Sequence, residues 1–361
     1  MCIQDQISSL LSGSYNDFNM RLKKCDEQLL YTIENTELPI GLGCGKMGIC
    51  IYLFFLSKIY NDNHYRQRAR RLLDNIIENV TVASPLDIND GLLGIGFGLN
   101  YLIETKNIYG NINNMLADVD DYLFKQIAYP EVVEGVFIDP LIEYILYLNM
   151  RVPKQKGENR FIFEALIGKS LNILQNKIDY SLFDEPSNFS FNYQLPKFIY
   201  MLSNLYSNGF FQAKCINILK ELSSKIISSI PVLHSNKLLL LNAINSLNKS
   251  VDIGLFKDYF KTLFDMFNLE YMINEEFRDR NIFLYNGLSG AFYLINELAP
   301  FFAHTQVVSM KDMIIRRIIS SSVWLSMEDS SFFYSKSGLL NGFCGTSILI
   351  HQYLDNNEDR S

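Results

Sequence analysis

The sequence is poor in histidine and poorer in tryptophan, with four and one in 361 residues. Its six cysteines, Cys2, Cys25, Cys44, Cys50, Cys215 and Cys344, are scattered and make no C-x-x-C pair. That spacing excludes a disulfide framework and a ribbon-type zinc site. No stretch reaches the roughly 18 uncharged apolar residues of a membrane-spanning helix, and the most apolar window, GICIYLFFLSKIY, is too short. The first residues, MCIQDQISSLLSGSYNDF, lack the basic start and apolar core of a secretory signal. The expectation is a reduced, cytoplasmic protein with no membrane span. Excess positive charge is also missing. The formal net charge is -7 and no long basic run occurs, so nucleic acid is not an expected partner. The short run RQRARR at 66–71 reads as the solvated face of an outer helix.

What is present is apolar and periodic. Hydrophobic residues make up 48% and charged residues 20%, enough for a large core. Four segments share the pattern G-x-x-G followed by about ten mostly apolar residues. Their glycine pairs are Gly45 and Gly48, Gly91 and Gly94, Gly287 and Gly290, and Gly342 and Gly345. A spacing of about 49 residues accommodates them if three further copies lie between Gly94 and Gly287. Segments beginning at Glu134, Ser187 and Pro231 stand at the right places. Between the copies run amphipathic stretches such as NDNHYRQRARRLLDNIIENV and VSMKDMIIRRIISSSVW. Each repeat is thus one apolar helix and one amphipathic helix that covers it. The fold expected is all-α, an α/α toroid of about seven inner and seven outer helices. It forms a single domain over 1–361, with inner helices starting near 41, 91, 135, 190, 233, 287 and 342. Glycine inside a helix costs roughly 1 kcal/mol relative to alanine. The expected return is close backbone approach at the crowded end of the ring, with helix-start amides left open to a central cavity.

A toroid of this kind with glycine-started inner helices resembles the lanthionine synthetase C-like family, over essentially the whole chain. The resemblance implies a place in ribosomal peptide modification, where the family's cyclases join a cysteine thiol to a dehydrated serine or threonine. Those cyclases hold zinc through a Cys in the fifth repeat and a Cys-His pair in the sixth. Here the sixth repeat reads LYNGLSG, with Tyr285 and Asn286 at the Cys-His positions, and no cysteine occurs between Cys215 and Cys344. The family's acid/base histidine in the fourth repeat corresponds to Tyr193. An aspartate of the second repeat survives as Asp87 in DINDGLLG. The resemblance therefore implies a member without metal or other cofactor, a pseudoenzyme that binds a peptide or a partner modification enzyme.

Asp87 is the candidate catalytic residue, with helix capping as its structural alternative. Asp90, Asn286 and Asn341 each precede a glycine, as Cys44 does. They are candidate substrate-binding residues on a polar ring, or caps. Tyr193 and Tyr285 complete the set as cavity aromatics, or as fillers of the vacated site. An alternative is an active enzyme, an altered cyclase or one that pairs Asp87 with Asp139 across the cavity in the manner of α/α-barrel glycosidases. A metal shared by Cys44, Cys344 and His351 is a remote alternative; His234 lies near the fifth-repeat site, but one histidine is not a zinc site. A plain interaction scaffold is a third reading.

Overall fold

The structure, a computed structural model, describes residues 3–80, 84–129 and 138–358. Among the described residues every regular element is a helix and no strand occurs. In chain order the longer helices begin with α1 (Ile3–Asn35), α2 (Lys46–Ile59), α3 (Asn63–Glu78), α4 (Leu92–Glu104), α5 (Ala117–Ala128), α6 (Ile138–Arg151) and α7 (Gly157–Lys177). They continue with α8 (Gln194–Ser207), α9 (Gln212–Ser228), α10 (His234–Ser250), α11 (Gly254–Asp265), α12 (Leu288–Leu298), α13 (His304–Ser320) and α14 (Phe343–Glu358). The start expected near residue 135 lies outside the described residues. No helix among them is long and apolar enough to cross a membrane.

Side-chain pattern decides which helices go inside. In α2 the run from Met47 to Phe54 is buried without interruption. In α3 only Ala69, Leu72, Leu73 and Ile76 are buried, one stripe at three- and four-residue spacing. The rest of α3, with Arg70 and Arg71, faces solvent, and Arg68 pairs with Glu34 of α1. Each even-numbered helix packs on the next, from α2 through α4, α6, α8, α10 and α12 to α14, and α14 packs back on α2. Odd-numbered helices lie against them, α3 on α2, α7 on α6, α9 on α8, α11 on α10 and α13 on α12.

Two buried polar clusters tie outer helices to this cycle. Tyr52 of α2 donates to Asp26 Oδ1 of α1 at 2.6 Å, and its hydroxyl lies 2.7 Å from Ser347 of α14. Arg151 of α6 is fully buried and grips both oxygens of Asp120 of α5, Nε at 3.1 Å and Nη2 at 2.5 Å. The Tyr147 hydroxyl donates to the same carboxylate at 2.7 Å.

Candidate functional site

The glycine pairs acquire their meaning from the segments just before them. Residues 39–44, 85–90, 281–286 and 336–341 each fold back across the first turn of the helix that follows. The first helical amide donates to a carbonyl seven residues earlier in every case. Lys46 donates to Pro39 at 2.8 Å, Leu92 to Pro85 at 2.9 Å, Leu288 to Asn281 at 2.8 Å and Phe343 to Lys336 at 2.6 Å. A Cβ on Gly45, Gly91, Gly287 or Gly342 would fall within 3.0 Å of that same carbonyl. A Cβ on Gly48, Gly94, Gly290 or Gly345 would collide likewise with the carbonyl of Leu42, Ile88, Leu284 or Leu339. Gly45, Gly91 and Gly287 have extended backbone that any residue adopts, so the requirement is space alone.

This arrangement corrects two expectations. The helix-start amides are not open to a cavity, because the folded-back segments occupy the leading one of each helix. Nor do Asp87 and Asp90 cap α4. The cap residue is Gly91, without a side-chain bond. Asp87 Oδ1 instead accepts from the Asp90 amide at 2.7 Å and folds its own loop.

Equivalent positions of these loops are joined to one another. The residues two places before each glycine are Gly43, Asn89, Tyr285 and Leu340. Gly43 N donates to Asn89 O at 2.8 Å, Leu340 N to Gly43 O at 2.9 Å, and Tyr285 N to Leu340 O at 2.9 Å. Phe191 N, just before α8, donates to Tyr285 O at 3.0 Å and extends the ladder. The loop before α10 is built differently. Glu185 takes the Val232 and Leu233 amides at 2.7 and 2.9 Å, and Glu276 takes those of His234 and Ser235 at 2.6 and 2.8 Å. Carboxylates there do for the helix start what backbone carbonyls do elsewhere.

The ladder places most of the residues singled out from sequence at one end of the helices. Tyr285 lies on it between Leu340 and Phe191. Its hydroxyl bonds Asn192 from the loop before α8 and meets the Asn89 amide from the loop before α4. Burial keeps the phenol well above its ordinary range, so it remains a neutral donor. The residues one place before each glycine form a second line. Asn341 Nδ2 donates to Cys44 Sγ at 3.6 Å, and the Cys44 thiol lies against Asp90. Burial raises the Asp90 carboxyl above the usual aspartate range, the Asp87 charge adds to this, and the thiol pulls the other way. Burial also raises the Cys44 thiol, against the pull of Asn341, which leaves it protonated and a poor nucleophile.

Beside this line lies a cavity of about 590 Å³. Tyr285, Asn286, Asn341 and Cys44 line it, as do Phe189, Phe277, Arg278 and Lys336. Asp87 and Asp90 do not line it. Tyr193 does not line it either. It occupies the cap position of α8, where α2, α4 and α12 carry glycine, and its ring is buried in the core. Asp139 lies 3.6 Å from Lys197, which bonds Glu143 at 2.9 Å. Nothing in the local sequence marks Asn89, Asn192, Arg278 or Lys336, which reach the site through loop geometry.

The zinc of the family's cyclases does not fit these residues. At the positions the resemblance assigns to its thiolate and imidazole, Tyr285 and Asn286 offer only a phenol and an amide. Among the described residues no three His, Cys, Asp or Glu side chains gather as a metal would require. His234 accepts from the Asn268 amide at 3.0 Å. His351 is buried between Phe55 and Tyr60, and Cys344 donates to Ser337 O at 2.8 Å.

No protein-family model and no curated protein matches this sequence.

Proposed function

We propose that the chain is a lanthionine synthetase C-like α/α toroid whose loop-lined mouth binds a peptide segment of a modification system. On this reading it makes no thioether bond through zinc. The closed cycle of even-numbered helices supports the toroid. The observation that carries the binding role is Tyr285. It stands where the cyclases hold a metal ligand, and it bridges loops from non-adjacent repeats beside a cavity walled by amides and aromatic rings. Amide side chains satisfy the peptide groups of an extended segment, while Phe189 and Phe277, buried in the core, brace the wall. The protonated Cys44 thiol and the loop-building role of Asp87 favour binding over turnover.

The test uses the full chain with fluorescein-labelled peptides that carry both a cysteine and a dehydrated serine. Micromolar binding that Asn341→Leu and Tyr285→Ala weaken about tenfold or more is the expected result, with the peptide thiol still fully alkylated by iodoacetamide afterwards. Thiol protection above the protein-free rate would show cyclisation and end the non-catalytic reading. An absence of binding to every peptide would leave only a scaffold.

A further inference from the structure

We propose that the mouth cavity selects peptides bearing a carboxylate, gripped by Arg278 and Lys336. This inference rests on the peptide-binding reading and names the class of peptide.

The molecule as a whole is acidic, with a formal net charge of -7. The cavity wall is the reverse. Its charged residues are Glu276, Arg278 and Lys336. Glu276 is already committed, since Oε1 and Oε2 accept from the His234 and Ser235 amides at 2.6 and 2.8 Å. The two cations are not. Among the described residues no carboxylate lies within ion-pair distance of Arg278 or Lys336. Asp279, next along the chain, is held by the Ser322 amide at 3.0 Å and by the Ser322 hydroxyl. The Lys336 ammonium lies 5.7 Å from the centre of the Phe283 ring, a contact that places the charge without neutralising it.

The remaining groups on the wall suit the atoms around a carboxylate. Asn188, Asn281 and Ser190 present amide and hydroxyl groups. Phe189 and Phe277 pack edge to face with ring centres 5.3 Å apart and, at 5% and 3% exposed, turn little area to the cavity, so its recognition is mainly polar. A guanidinium takes a carboxylate through two parallel N–H bonds, which an amide cannot reproduce. The expected ligand is an extended segment with an acidic residue. The carboxylate can come from a side chain or from a chain end.

Three fluorescein-labelled peptides test this by anisotropy against the full chain. One is Gly-Ser-Glu-Phe-Glu-Ser-Gly with an amidated end, the second has Gln for both Glu, and the third is the Gln peptide with a free carboxyl end. At low salt the Glu peptide is expected to bind roughly tenfold tighter than its amidated Gln counterpart. Arg278→Gln and Lys336→Gln should each remove about threefold or more of that preference, and 0.5 M salt should shrink it. A preference for the free-acid peptide alone supports the same cation pair and assigns the carboxylate to a chain end. Equal binding of all three overturns the carboxylate inference and leaves the peptide-binding reading intact. A preference that survives both substitutions removes Arg278 and Lys336 from the assignment. Failure of all three to bind overturns the reading and the inference together. Arg278 is exposed and Lys336 partly exposed, and unchanged thermal melts exclude misfolding as the cause of a loss.

Discussion

Replacing Gly94 with alanine separates the two reasons a helix can carry glycine. Gly94 lies in the first turn of α4, where alanine is favoured by roughly 1 kcal/mol on propensity alone. In the folded protein a Cβ there would fall within 3.0 Å of Ile88 O and of Leu42 N, both backbone atoms on the folded-back loops. Neither can rotate away. Relief requires the loops at 39–44 and 85–90 to move together. That movement strains the bonds from Leu42 N to Ile88 O at 3.0 Å, from Gly43 N to Asn89 O at 2.8 Å and from Gly94 N to Asp87 O at 3.2 Å. Loss of two or three such bonds at about 1 kcal/mol each, with overpacking strain of about 1–3 kcal/mol, outweighs the propensity gain. The net expectation is a loss of about 3 kcal/mol, or a fall in Tm of about 6 °C at roughly 2 °C per kcal/mol. Urea titration followed by circular dichroism measures it. Gly254→Ala is the matched control, because a Cβ at Gly254 meets nothing within 4 Å. It should leave stability unchanged or raise it slightly. A Gly94→Ala protein as stable as the parent would refute the steric account of the G-x-x-G pattern.

Two further predictions concern buried charge. Burial pushes the Asp26 carboxyl up to about 7, with the Tyr52 hydroxyl opposing. A carboxyl raised in the fold favours the neutral form, so its contribution to stability is full below the ordinary aspartate range near pH 4. That contribution is lost as pH rises through about 7. Asp26→Asn should therefore stabilise the protein at pH 8 by on the order of 2 kcal/mol. The gain should fade toward pH 4, and thermal melts across that range check it; an equal difference at both ends refutes it. Asp120→Ala strands the fully buried Arg151 guanidinium and should cost about 3–5 kcal/mol by urea titration. Asp120→Ala with Arg151→Met should recover much of that loss, and a double variant no better than the single one contradicts the buried-charge account.

Local composition was enough to place α2, α4, α12 and α14, because burial on all sides demands windows such as GICIYLFFLSKIY, whereas α6, α8 and α10 were placed only by the spacing. It also exposed the recurrence of G-x-x-G, since a position that tolerates no Cβ leaves a mark in the residue type. What excludes the Cβ was not legible. The obstacle is the carbonyl of Pro39, Pro85, Asn281 or Lys336, and a backbone carbonyl is the same in every residue. For the same reason the ladder through Asn89, Gly43, Leu340, Tyr285 and Phe191 has no signature in one dimension, although it joins residues as far apart as 43 and 340. Tyr193 looked equivalent to a cavity residue by alignment, yet its position at the cap of α8 puts the ring in the core. Arg278 and Lys336 are ordinary cations in the sequence and come to line one cavity only where two loops meet. Side-chain chemistry and periodicity are written locally along the chain. Backbone partnership and the convergence of distant loops arise only when the helices have packed.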